Sequence, residues 1–283
     1  MDGTLINQLN LMAYKIRKDA IEGIYNAGSG HPGGSLSIAE ILSVLYFKEM
    51  NINPKDPKNS ERDRFVLSKG HCAPAYYGAL AERGYFPVED IKTLRKTESY
   101  LEGHPDMKGT PGVDMSSGSL GQGISAACGM ALAGKIDNKN YRVYTILGDG
   151  EVEEGQVWEA SMYAAHYKLD NLTVFIDVNG LQIDGSTDEV MSSAPIDAKF
   201  KAFGFNVIKV DAHDVEQIYD AIQEAKAVKG KPTAIVCKSV KGKGVSYMEN
   251  EVNWHGAAPD KELYKVAISE LDENIEELEE LCK

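Results

Sequence analysis

The sequence predicts an α/β fold: a doubly wound, mostly parallel sheet with helices on both faces. Three observations carry that expectation. From residue 142 onward, short apolar runs alternate regularly with segments of helical spacing, the pattern of strand–helix–strand units. The runs are apolar throughout and not alternating, as in strands covered on both faces. The chain has 283 residues and no internal repeat, which suits one large domain or two small ones. The expected organisation is one α/β domain over 1–258 with a helical lead, and a helical extension over 259–283.

The elements follow in order. Leu5, Leu9, Met12, Ile16, Ala20 and Ile24 place one apolar face on a helix over 5–26. It ends in the glycine-rich loop "NAGSGHPGGS". Ser37 and Glu40 have the spacing of a capping box for a helix over 38–50. "INPKDPKNSERD" is a polar loop, "RFVLS" a short strand, and "AYYGALAERG" a helix after "KGHCAP". Residues 103–123 form a glycine-rich loop of a length that usually signals function. It leads into the helix "ISAACGMALAGK". Strands are then expected at "RVYTILG", "LTVFIDV", "NVIKV" and "TAIVCKSV", with helices at "QVWEASMYAAHYK", "IDAKFKAFG" and "VEQIYDAIQEAKAV" between them. In the tail, Leu263, Val266, Ala267, Leu271, Ile275, Leu278 and Leu281 make a helical stripe.

A net charge of −13 argues against nucleic acid or an anionic membrane as the main partner. An anionic ligand would need positive potential supplied locally. Cys72, Cys128, Cys237 and Cys282 form no C-x-x-C pair, which reads as reduced thiols and not a disulfide frame or zinc site. The N-terminus lacks the features of a secretory signal, and no apolar run approaches a membrane span. The cytoplasm is the expected compartment.

Ligands in open parallel sheets bind beyond the carboxyl ends of the strands. Asp149, in "LGDGE", ends one expected strand and Asn179, in "DVNGL", ends the next. Together they offer two hard oxygens to Mg²⁺, and a carbonyl of the turn after Asn179 could add a third. Gly148 and Gly150 let backbone approach a phosphate, and the following helix adds amide donors. Taken alone, Gly-Asp-Gly also reads as a helix-capping turn; its pairing with Asn179 one unit later favours the metal. No Walker phosphate loop occurs, and "GSLGQG" does not match the Rossmann glycine spacing. His31, His71, His104 and His255 each stand beside glycine on a loop, where a scaffold can aim them into a cleft. His166 and His213 lack that setting and read as structural. Lys241 and Lys243 leave the last strand among glycines; Lys241 is the better candidate to reach an anion. Glu151 and Glu153 carry no expected role beyond favouring a helix N-terminus.

"SGHPGG", "RDRFVLSKGHCAP", "SLGQGISAACGMALAGK", "GDGEVEEGQVWEA" and "VNGLQIDG", in this order, resemble the N-terminal, diphosphate-binding half of transketolases. The resemblance implies thiamine diphosphate and Mg²⁺ as cofactors. It implies Asp149, Asn179 and the carbonyl of Leu181 as metal ligands. His71, Gly150, Lys241 and His255 would contact the diphosphate or its surroundings, and the backbone at Gly118, Ser119 and Leu120 would line the thiamine. His31, His104 and His255 would face the sugar hydroxyls and move protons. Glu154 matches an acid that links the two active sites of the family's dimer. Ser119 stands where some members have proline. The implied reaction transfers a two-carbon ketol unit from a ketose phosphate to an aldose phosphate, with the thiazolium as electron sink.

Family members normally continue into a pyrimidine-binding domain that supplies a further glutamate and most of the sugar-phosphate arginines. This sequence shows no second strand–helix series. The resemblance therefore implies one subunit of a split transketolase, in an α2β2 assembly with a C-terminal partner chain. The acidic tail helix is either a docking element or packed on its own domain. Two other readings stay open. One is a subunit of another thiamine-diphosphate enzyme, either 1-deoxyxylulose-5-phosphate synthase-like or a 2-oxoacid dehydrogenase α subunit. The other is a cofactor-binding module without catalysis.

Overall fold

A computed structural model describes the whole chain, residues 1–283. Helix α1 (Gly3–Ala27) starts where the Asp2 carboxylate accepts the Leu5 N–H at 2.8 Å, and it stops at Gly28, which has φ 65°. Its apolar stripe points inward, with Leu9, Ile16, Ala20 and Ile24 buried.

A short helix, α2 (Pro32–Leu36), forms at the end of the expected glycine-rich loop, and the expected helix over 38–50 is α3 (Ala39–Val44) running into a π-type turn over Leu45–Glu49. The capping box is not formed. Ser37 Oγ instead donates to Asp177 Oδ2 at 2.8 Å, and Glu40 turns inward to accept from Arg17 at 2.6–2.7 Å. Both Ser37 and Glu40 are buried, so their hydrogen bonds go to buried charges that would otherwise be stranded.

The rest of the chain is β1 (Arg64–Leu67), α4 (Ala73–Arg83), α5 (Gln122–Ile136), β2 (Val143–Gly148), α6 (Gly155–His166) and β3 (Leu172–Val178). A small antiparallel pair follows, β4 (Leu181–Gln182) with β5 (Gly185–Ser186), then α7 (Thr187–Val190) and α8 (Ile196–Ala202). The chain closes with β6 (Asn206–Asp211), α9 (Val215–Ala227), β7 (Thr233–Lys238) and α10 (Lys261–Leu281). The main sheet has the order β1-β2-β3-β7-β6, with every pair parallel.

Alternate residues of each central strand enter two separate cores. Phe65, Ile146, Phe175 and Ile235 join the core under α1, α3, α4 and α9. Val66, Leu147, Val174 and Ile176 join the one under α5, α6 and α8. β6 departs from the apolar expectation: Lys209 and Asp211 are exposed, because only β7 flanks this edge strand. The register sets Gly148 opposite Asp177 and Asp177 opposite Cys237. The carboxyl ends of three central strands therefore lie level, and the loops that follow them share one rim.

The tail helix packs on its own domain. Ala267, Leu271 and Ile275 of α10 are buried, and Lys18–Asp272 (2.6 Å) and Lys15–Glu279 (3.3 Å) pair α1 with α10. Leu271 and Ala267 join Ile21, Leu36, Val245 and Met248 in a third apolar cluster. All four cysteines are free thiols. No helix is long and apolar enough to cross a membrane.

Candidate functional site

Asp149 follows the last residue of β2. Its Oδ1 accepts the Gly150 N–H (3.0 Å) and its Oδ2 the Gly180 N–H (2.6 Å), so backbone fixes the carboxylate between two turns. Asn179 follows β3. Its Nδ2 donates to Asp177 Oδ2 at 2.9 Å, which fixes the amide orientation, and its Oδ1 accepts the Leu181 N–H at 3.1 Å. The Leu181 carbonyl accepts from Lys241 Nζ at 2.9 Å. Asp149, Asn179 and Leu181 line one cavity of about 240 Å³, together with Gly150, Lys241 and four histidines.

The oxygens available are one carboxylate, one amide and one carbonyl. No group of three or more His, Cys, Asp or Glu side chains is disposed to hold a metal. This donor set fits a hard cation such as Mg²⁺, which takes few protein ligands and completes its shell from water and phosphate oxygens. Around it the space suits an anion. A Cβ built on Gly148 finds no atom closer than 3.7 Å, and one on Gly150 none closer than 3.4 Å. The cradle is open where phosphate oxygens would approach the backbone.

Beneath the corner lies a buried pair absent from the expected site residues. Lys69 Nζ donates to Asp177 Oδ2 and to the Gly34 carbonyl, at 2.6 and 2.9 Å. Asp177 also accepts from Ser37, Ser239 and Asn179. Burial is the largest single effect and opposes both charges, but the partner's charge and hydrogen bond together with the other neighbouring groups outweigh it. The Asp177 pKa falls below the usual carboxylate range and that of Lys69 rises. Asp149 lacks such a partner. Burial and the nearby Asp177 push its carboxyl up to about 6.

His31, His71 and His255 form a triangle, with ring centroids 5.1, 5.6 and 5.4 Å apart. Lys241 Nζ, itself buried, donates to His255 Nδ1 at 2.9 Å, which leaves Nε2 of that ring to carry the hydrogen. Burial, reinforced by neighbouring cations and rings, lowers His31 and His71 to about 4 and His255 to about 3. His104 is lowered by burial and by His71. All four imidazoles are thus neutral at pH 7. Burial and the Lys69 charge also lower the Lys241 pKa. The Nδ1 atom of His31 is buried without a partner, so this ring has hydrogen-bonding capacity to offer a ligand.

Gly118 and Leu120 line the cavity and Ser119 does not; it is exposed. The Gly118 backbone lies against the His104 ring, 3.4 Å from a built Cβ. Glu154 stands at the N-terminal boundary of α6, makes no capping hydrogen bond and is exposed, its stem beside Gly121. Lys243 pairs with Glu249 at 3.3 Å and is not among the lining residues. His166 sits on the last turn of α6.

Glu151 has more to do than favour a helix end. It is buried, precedes α6 in a single turn, and accepts from Ser68 Oγ, the Gly121 N–H (2.9 Å) and the Gly148 N–H (3.0 Å). One carboxylate thus ties the end of β1, the 118–121 loop and the Gly148–Asp149 corner together. Glu153 accepts from Gln182 Nε2 at 3.0 Å, bracing β4. Lys69 and Asp177 did carry a signal in the sequence: each is a charge at the end of an apolar strand run.

Residues 8–271 match the family model described as transketolase, thiamine diphosphate binding domain. The chain is 48% identical over 264 residues to the 6-deoxy-6-sulfo-D-fructose transketolase subunit SqwG of Clostridium sp. (strain MSTE9), covering 93% of this chain and 96% of that one. It is 42% identical to an apulose-4-phosphate transketolase subunit of Phocaeicola vulgatus, covering 97% of each. Human transketolase is 42% identical over 279 residues, but the match spans only 44% of its length. Among solved structures, transketolase from Leishmania mexicana superposes with a TM-score of 0.84 at 32% identity, over 96% of this chain and 46% of that one. The chain thus spans about the whole length of two relatives named as subunits and less than half of the larger transketolases. With the strand-end corner, the neutral histidines and these matches, the chain belongs to the transketolase family, as its thiamine-diphosphate-binding domain.

Proposed function

We propose that this chain is the diphosphate- and metal-binding subunit of a two-chain transketolase. One observation carries the reading: Asp149, Asn179 and the Leu181 carbonyl share a single cavity with buried Lys241 and a triangle of neutral imidazoles. Mg²⁺ would be held by Asp149, Asn179 and the Leu181 carbonyl. Lys241 would bring positive charge to the diphosphate within a chain of net charge −13, with His71, His255 and the Gly150 backbone beside it. The backbone of Gly118, Ser119 and Leu120 would line the thiamine. Thiamine diphosphate, when bound, supplies an electron sink for the breaking sugar C2–C3 bond.

His31, His104 and His255 would meet the sugar. His31, whose Nδ1 is buried without a partner, would accept a proton from a sugar hydroxyl, and His255, whose Nδ1 is taken by Lys241, would donate a hydrogen bond from Nε2. The ketose would bear a terminal anion. The relative SqwG is named for a sulfo-sugar and the other subunit relative for a sugar phosphate, and both terminal groups are anionic. A ketose phosphate donor and an aldose phosphate acceptor are the first pair to test.

The partner would be a second chain carrying the pyrimidine-binding domain and its glutamate, in an α2β2 assembly. The length comparison supports this, as both subunit relatives are spanned almost completely. So does α6, which exposes Met162 and Tyr163 beyond Glu154, apolar surface of the kind an interface covers. The test is ketol transfer by the purified chain, alone and with the partner chain, in the presence of thiamine diphosphate and Mg²⁺. Activity only in the mixture is expected. Activity from this chain alone would remove the split-subunit reading.

A further inference from the structure

His213 sits in the turn between β6 and α9, outside the cavity. Its Nε2 lies 2.9 Å from the backbone nitrogen of Val240, and its Nδ1 lies 3.2 Å from Glu40 Oε2. The amide of Val240 can only donate, so Nε2 must accept and Nδ1 must carry the ring hydrogen. That hydrogen goes to Glu40. Glu40 is held in turn by Arg17, which is fully buried and donates to both carboxylate oxygens. Arg17 outweighs the burial of Glu40, with help from His213, and holds the carboxyl at about 2, so the acceptor stays ionised.

Val240 immediately precedes Lys241, whose ammonium meets the Leu181 carbonyl and His255. We infer that Arg17, Glu40 and His213 form a positioning relay that sets the Val240–Lys241 backbone, and through it the grip of the site on the cofactor's diphosphate and metal. This inference rests on the proposed function. None of the three touches the cavity, so they are positioning residues. The relay runs from the α1 core through α3 and the β6–α9 turn to the segment after β7.

The test compares two substitutions that divide the imidazole. His213→Asn retains a donor near the Nδ1 position and has no acceptor at Nε2. His213→Gln places an amide oxygen near Nε2, able to accept the Val240 N–H. Thiamine diphosphate affinity is measured by calorimetry with Mg²⁺ on the reconstituted two-chain complex, with thermal midpoints recorded alongside. The expected result is at least a tenfold weaker Kd for H213N and only partial recovery for H213Q, to about threefold weaker than wild type, because Gln accepts the Val240 N–H but gives up the hydrogen bond to Glu40. Equal Kd values for wild type and H213N, whatever their midpoints, would overturn the relay. ¹⁵N spectra of the wild-type chain without cofactor give an independent reading. His213 should be protonated at Nδ1 and bare at Nε2, and the opposite tautomer would also overturn it. Failure of the wild-type complex to bind thiamine diphosphate would instead remove the proposed function, leaving the tautomer result to judge the His213 geometry.

Discussion

Lys69 and Asp177 lie 2.6 Å apart with both side chains almost wholly out of water. Removing one member strands the other, at a cost of about 3–5 kcal/mol, although the intact pair contributes little net stability. Lys69→Met should therefore lower unfolding free energy by that amount in urea titrations, and adding Asp177→Asn should recover part of it. A loss below about 1 kcal/mol in K69M would show that the other donors to Asp177 suffice. Asp19 is the opposite case, a buried carboxyl whose Oδ2 has no partner. Burial, then Glu82 and Glu22, raise it to about 8, against opposing pulls from Lys18 and Lys15. A folded-state pKa above the unfolded value of about 3.9 means the protonated form is favoured on folding. The associated stability is fully present below about pH 4 and is lost as pH rises to about 8. Relative to Asp19→Asn, the wild type should lose up to about 1.4 kcal/mol per pH unit in that window and level off above it. Parallel stability profiles of the two proteins from about pH 5 to 9 would contradict the assignment.

At the scale of elements, the segment after β7 is where packing reaches the site. Gly242 has φ 78°, and a built Cβ would lie 2.2 Å from the Met248 carbonyl oxygen. Only glycine fits there, and the position adjoins Lys241. Val245 and Met248 are then clamped by Leu271 of α10, Ile21 of α1 and Leu36 of α2. Leu271→Ala should cost about 2–5 kcal/mol. It should also speed amide exchange across 242–248 before the central strands are affected, since this cluster is separate from the two main cores. Uniform acceleration throughout the chain would argue against a local role for α10. The helical stripe of this tail was legible in the sequence, whereas its partner was not. Periodicity marks a buried face without naming the surface that covers it. The capping-box spacing of Ser37 and Glu40 failed for a related reason, because Asp177 and Arg17 arrive from distant segments and claim both side chains.

At the scale of the whole molecule, a ligand that binds only the folded chain must raise its stability. Thiamine diphosphate with Mg²⁺ at about a hundredfold excess over Kd should add about 2.7 kcal/mol to the two-chain complex. EDTA should abolish the added part, and a thermal shift that survives chelation would count against the metal at Asp149 and Asn179. The sequence by itself determined the α/β class, because apolar strand runs and helical spacing are local properties of the chain. It also marked the strand-end corner of Asp149 and Asn179 and the four glycine-flanked histidines, because loop glycines and polar residues at strand ends are local too. Tertiary structure alone decided who meets whom. Parallel register set Gly148 beside Asp177 and Asp177 beside Cys237, placing a buried ion pair under the Asp149–Asn179 corner. The chain's crossovers brought His213, Glu40 and Arg17 into line behind Lys241. Those partners lie up to 173 residues apart in sequence, and a buried charge or amide selects its partner by proximity in the folded interior, where water is no longer available to serve instead.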